Sequence, residues 1–120
     1  MTSSHILVVD DEPLAAEQIA KFLEKPGVRT STAGSGRSAL ALHREDPADL
    51  IVTDLRMPDG DGVELIQAIR SEDGDLPIIV VTGQVLREAE ALDAGATVLL
   101  RKPLDLSELA AAFTENLATG

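Results

Sequence analysis

Apolar residues along the chain fall into short continuous runs, separated by longer stretches in which they recur every three or four positions. His5–Val9 (HILVV), Asp49–Thr53 (DLIVT), Pro77–Thr82 (PIIVVT) and Thr97–Leu100 (TVLL) are runs of strand length. Runs without polar alternation suit strands covered on both faces, as in a parallel sheet lying between helices. Val28–Ala33 (VRTSTA) alternates weakly, which predicts a strand nearer the edge.

The stretches between carry helix start and stop signals. Asp11 and Glu12 precede Pro13, a favoured first helical residue, and Leu14, Ile19, Phe22 and Leu23 are the predicted apolar stripe of that helix. Ser35 is a predicted cap for a helix carrying Leu40 and Leu42 and ending before Pro47. Asp61 and Glu64 have capping-box spacing ahead of Leu65, Ile66 and Ile69, and Asp105 with Glu108 repeats it before Leu109 and Phe113. Val85, Ala89 and Leu92 predict a shorter helix closed by Gly95. Five strands alternating with five helices predict an α/β fold with an open, doubly wound sheet. The whole of residues 1–120 reads as one domain, with Ala118-Thr119-Gly120 as a frayed end and no room for a second domain.

Composition narrows the function. Hydrophobic residues make up 44% and charged residues 26%, as in globular chains. No cysteine is present, which removes disulfides and thiolate metal sites. The apolar runs are far too short to span a bilayer and the N-terminus has no signal-peptide pattern, so the expectation is a cytoplasmic protein with no membrane association. A formal net charge of −11 argues against direct nucleic-acid binding, which needs a positive footprint. Phe22 and Phe113 are the only aromatic residues, so flavin- and base-stacking readings lack their usual side chains.

In open parallel sheets the functional crevice lies beyond the carboxyl ends of the strands. The first predicted strand ends in Asp10-Asp11, the third in Asp54, the fourth in Thr82 and the fifth in Lys102. Singly, each has an ordinary structural role. Asp10 and Asp11 suit helix capping, Asp54 suits turn initiation, and Thr82 or Lys102 suits a solvated edge. Together at one edge they indicate a site. Three carboxylates against one lysine leave a formal charge of −2, which close packing tolerates only with raised pKa values or a counter-ion. Hard oxygen ligands favour magnesium, with manganese plausible. A carboxylate beside such an ion is a suitable nucleophile toward phosphorus.

The stretches VVDDEP at Val8–Pro13, VTDLRMPDGDG at Val52–Gly62, IIVVTG at Ile78–Gly83 and DAGATVLLRKP at Asp93–Pro103 resemble the response-regulator receiver domains of two-component signalling, of which the single-domain chemotaxis regulator is the familiar type. The resemblance covers essentially the whole chain. It implies a flavodoxin-like parallel sheet of order 2-1-3-4-5, Asp54 as phosphoacceptor, Thr82 as switch hydroxyl and Lys102 as phosphate-sensing lysine. It also implies a metal site of Asp10, Asp11, Asp54 and the Arg56 carbonyl, and side chains of Arg56 and Gln84 over the path of attacking water. A cis Lys102–Pro103 bond is implied as well, although a proline there equally suits a trans helix lead-in. The implied partners are a sensor histidine kinase or histidine phosphotransfer protein and a downstream protein target. The protein would be a self-phosphorylating switch rather than a turnover enzyme. Two departures stand out: Leu99 occupies the position, three before the lysine, where receivers usually carry an aromatic residue, and the interval from Thr82 to Gly95 is short. Both bear on output, and they shift the expected readout to the loop after the fourth strand.

Two other classes share parts of this pattern. A phosphatase with an aspartyl-phosphate intermediate usually presents D-x-D after its first strand, whereas these aspartates are adjacent. A flavodoxin-like electron carrier shares the fold, but the chain lacks tyrosine and tryptophan and has no phosphate-cradling loop after the first strand.

Overall fold

In a computed structural model of the chain, residues 4–57 and 62–117 are described. Five strands alternate with five helices: β1 (Ser4–Val9), α1 (Pro13–Leu23), β2 (Val28–Ala33), α2 (Gly36–Glu45), β3 (Leu50–Asp54), α3 (Gly62–Glu72), β4 (Ile78–Thr82), α4 (Glu88–Ala94), β5 (Val98–Arg101) and α5 (Leu106–Asn116). The five strands pair with one another in parallel and the order is β2-β1-β3-β4-β5, so the weakly alternating β2 lies at an edge as its pattern predicts. The flavodoxin-like arrangement is therefore the one the resemblance implies.

Burial on both faces explains the continuous apolar runs. Ile6 and Val8 of β1, Leu50 and Val52 of β3, and Ile79 and Val81 of β4 face α1 and α5, where they meet Ala16, Leu23, Leu109 and Phe113. The alternate residues Leu7, Val9, Ile51, Ile78 and Val80 face the other layer and pack with Ala39, Leu65, Ile66, Ile69 and Ala91. With both faces covered, strand residues need no polar alternation.

Helix ends largely follow their local signals. Pro13 occupies the first turn of α1, which has no side-chain cap. Ser35 caps α2 as expected, and Ser38 completes a reciprocal capping box with it. Asp105 caps α5 by accepting from the Ser107 and Glu108 N–H groups. Gly95 ends α4 at φ 119°, a left-handed conformation suited to glycine. The proposed cap of α3 at Asp61, and the tail Ala118–Gly120, lie outside the described residues.

Two predicted apolar stripes are displaced. Helix α1 buries Ala16, Ala20 and Leu23, while Leu14 is 74% and Phe22 42% exposed. Small alanines let this helix lie close on the sheet, whereas the larger residues fit only where there is space. In the segment after β4, Val85–Arg87 forms a single 3-10 turn and α4 begins at Glu88. Ala91 is the residue α4 buries; Ala89 and Leu92 are exposed. Among the described residues, no helix is long and apolar enough to cross a membrane.

Candidate functional site

The carboxyl edge of the sheet gathers the residues named from the sequence. Val9 ends β1 and delivers Asp10 and Asp11, Asp54 and Thr82 are the last residues of β3 and β4, and Lys102 follows Arg101 at the end of β5. One carboxylate oxygen from each of Asp10, Asp11 and Asp54 lies within 4.8 Å of the others. Asp10 and Asp54 are buried and Asp11 is exposed, so the cluster opens to solvent on one side.

Asp54 is held at both oxygens. Its Oδ1 accepts from the backbone N–H groups of Leu55 at 2.7 Å and Arg56 at 3.3 Å, and its Oδ2 accepts from Lys102 Nζ at 2.8 Å. Oδ1 is thus turned back into the following loop and Oδ2 toward the cleft. Gly62 can approach the end of β3 closely because it has no side chain: its N–H donates to the Leu55 carbonyl at 2.9 Å, and a Cβ there would strike the Asp54 carbonyl oxygen.

Burial and neighbouring charge both act on Asp10. Burial pushes the Asp10 carboxyl up from its ordinary value; a hydrogen bond from the Glu12 N–H works against this, and the Asp54 charge adds to it. For Lys102, burial alone would lower the ammonium pKa. The hydrogen bond and charge of Asp54, with Asp10 and Glu12 behind them, outweigh it and raise the value. The lysine therefore stays a cation and neutralises only part of the cluster. Such an excess of hard oxygen donors suits a divalent cation.

The buried Thr82 accepts from the Gln84 N–H at Oγ1, 2.9 Å, which leaves its own proton to donate. Its carbonyl accepts from the Lys102 N–H at 2.9 Å, tying the ends of β4 and β5 together. The Lys102–Pro103 peptide bond is cis, as the resemblance implies. Arg56, two residues beyond Asp54, is exposed, and Gln84, two residues beyond Thr82, is half-buried. A cavity of about 560 Å³ is lined by Asp10, Asp54 and Lys102 together with Ala15, Ile19 and Leu104, so there is room beside the carboxylates for a donor group.

Position 99 differs from an aromatic switch as expected: Leu99 is half-buried and packs against the sheet core. A feature absent from the sequence reading lies next to it. Arg101 holds Glu88 with two hydrogen bonds, Nε to Oε2 at 2.7 Å and Nη2 to Oε1 at 3.0 Å. No local pattern marks a pair formed between the start of a helix and the strand that follows it.

Comparison with known proteins bears on the family and the fold. A family model described as the response regulator receiver domain matches residues 6–114. The chain is 42% identical over 108 residues to the response regulator MprA of Mycolicibacterium vanbaalenii, covering 88% of this chain and 47% of that protein. It is 36% identical over 106 residues to the probable transcriptional regulatory protein TcrX of Mycobacterium tuberculosis, covering 87% and 45%. Among solved structures it matches the chemotaxis response regulator CheY4 of Vibrio cholerae with a TM-score of 0.86 at 30% identity, covering 97% of this chain and 100% of that one. A CheY-like receiver domain from Methanospirillum hungatei gives a TM-score of 0.89 at 26% identity, covering 97% and 94%.

These relatives overturn one expectation. The acidic charge argued for no direct nucleic-acid binding, yet TcrX is named a probable transcriptional regulatory protein, and this chain spans less than half of it. The charge of −11 describes these 120 residues alone and does not govern the rest of a longer regulator, so the exclusion does not hold.

Proposed function

The chain belongs to the response regulator receiver domain family, and from that premise we propose that it is a phosphorylation switch in which Asp54 accepts a phosphoryl group from a phosphohistidine protein. The observation that carries this reading is the arrangement around Asp54. One oxygen is fixed by two backbone N–H groups, and the other is presented to the cleft beside Lys102 and two further acids.

Asp54 Oδ2 is the attacking atom. The new O–P bond forms as the N–P bond of the phosphohistidine breaks, and the imidazole leaves with the bonding electron pair. Asp10, Asp11 and Asp54, with the Arg56 carbonyl, are the residues that would hold magnesium, or manganese in its place. Bound there, the ion supplies positive charge for the phosphoryl oxygens. Lys102 passes its hydrogen bond from Asp54 to a phosphoryl oxygen, and the Thr82 hydroxyl donates a second. Phosphoryl transfer depends mainly on positioning and charge neutralisation, which these residues provide without a separate general base.

Residues 1–120 act in this reading as one receiver domain in the cytoplasm, phosphorylated by a sensor histidine kinase or phosphotransfer protein and read by a downstream partner. They do not turn over a separate substrate. Arg56 and Gln84 stand on the route of water to the acyl phosphate and set its lifetime.

Intact-mass measurement after incubation with a phosphohistidine protein or acetyl phosphate tests the assignment. The mass should rise by one phosphoryl group in magnesium, not in excess chelator, and Asp54→Asn should abolish the rise. Labelling that persists in Asp54→Asn would move the acceptor elsewhere.

A further inference from the structure

Helix α4 is short and weakly buried, since Ala91 is its one buried residue. Few apolar contacts mean a low cost of displacement, so its polar fastenings matter. At its C-terminal end Arg70 of α3 donates to the Gly95 carbonyl from Nε at 3.0 Å and to Thr97 Oγ1 from Nη2 at 3.2 Å. At its N-terminal end the fastening is the two-pronged Glu88–Arg101 pair. Glu88 is the first residue of α4, where an acid also suits the helix dipole.

That second fastening is continuous with the site. Arg101 is in register with Thr82 across β4 and β5, and Lys102 follows it. From Thr82 the loop is held by the Gln84 N–H on Oγ1 and then by the Arg87 N–H on the Gln84 carbonyl at 2.9 Å, closing the 3-10 turn that leads into Glu88. If Thr82 Oγ1 turns toward a phosphoryl group on Asp54, the Gln84 N–H loses its acceptor. The loop must then shift to find another. The turn carries that shift to Glu88, and the pair with Arg101 resists it.

We propose that the Glu88–Arg101 ion pair is a latch holding the start of α4 against the end of β5, so that Thr82 engages a phosphoryl group only by working against it. Released, α4 pivots about the end fastened by Arg70. The inference rests on the phosphoacceptor reading of Asp54 and adds the device that sets how readily the switch is thrown. Arg101 is largely exposed, with a side chain 68% accessible, and a pair in that setting contributes modestly. A latch that one hydrogen bond must release has to be of that order.

The test is the affinity of the protein for beryllofluoride with magnesium, a phosphoryl mimic, followed by NMR in the wild type, Glu88→Gln, Arg101→Gln and the exchanged double variant Glu88→Arg/Arg101→Glu. Each single variant should bind about two- to fivefold more tightly, the range expected for an exposed ion pair. Amide signals over Gly83–Ala91 in the free single variants should move part of the way toward their beryllofluoride positions. The exchanged pair should return both readouts toward the wild type, which a merely structural role for either residue would not do. Unchanged or weaker binding in the single variants, with unshifted loop amides, overturns the latch while leaving the phosphoacceptor reading in place. A wild-type protein that takes up no beryllofluoride overturns both.

Discussion

Asp10 has its pKa raised from an ordinary 3.8, first by burial and then by the Asp54 charge, against the pull of the Glu12 N–H. The folded chain therefore holds that proton more tightly than the unfolded one. Its stabilising contribution is present below the ordinary value and is lost as pH rises through the raised value. In chelator at neutral pH, Asp10→Asn should melt at a higher temperature than the wild type, and the gain should shrink as pH falls toward 3.8. Paired thermal melts across that range check it. Gly62 makes the opposite case. An added Cβ would lie 2.8 Å from Leu55 Cα and against the Asp54 carbonyl oxygen, both backbone atoms. Gly62→Ala should cost about 1–3 kcal/mol in urea denaturation, and it should slow labelling because the loop fixing Asp54 Oδ1 must shift.

Among the elements, α5 is the clearest instance of a local signal that holds. Asp105 accepts from the Ser107 N–H at 2.8 Å, and Leu109, Ala112 and Phe113 follow on the buried face. Asp105→Ala should lower stability by about 1 kcal/mol through loss of the cap, measured as a shift in the urea midpoint at constant slope. Helix α4 shows the reverse. Its buried face is one alanine, and Arg70 and Arg101, which belong to other elements, hydrogen-bond its two ends. Leu99, packed against the core beside it, is half-buried, so keeping it in place is worth roughly 1 kcal/mol, about half of what full burial of a leucine gives. An outward swing of Leu99 on phosphorylation would oppose that, so the movement is expected in the loop after β4. Static Leu99 methyl signals alongside shifted Gly83–Ala91 amides on beryllofluoride binding are the expected result.

For the molecule as a whole, one cation binding at the acid cluster should be measurable as stability. A ligand that binds only the folded state at ten times its dissociation constant adds about 1.4 kcal/mol. Urea unfolding in magnesium chloride, against sodium chloride at matched ionic strength, should show a gain of that order once the cluster is mostly occupied. Asp11→Ala should remove it, with metal-free stability level with or above the wild type. No magnesium-dependent gain at millimolar concentrations would remove the cation from this site.

The strand runs, the helix caps at Ser35 and Asp105, and the residues at the carboxyl ends of the strands were legible in the chain itself. Each depends on neighbours a few positions away: apolar continuity for a strand covered on both faces, an oxygen poised over free N–H groups for a cap. Parallel order then brought Asp10, Asp11, Asp54, Thr82 and Lys102 to one edge without further instruction. Tertiary structure decided what depends on close approach between distant segments. The inward face of α1 went to Ala16 and Ala20 rather than Leu14 and Phe22, because close packing on a sheet selects by size as well as by polarity. Asp54 Oδ2 was aimed at the cleft by a lysine 48 positions away. Glu88 and Arg101 met only because β5 runs beside β4 and brings its end to the start of α4, a juxtaposition that no local spacing encodes.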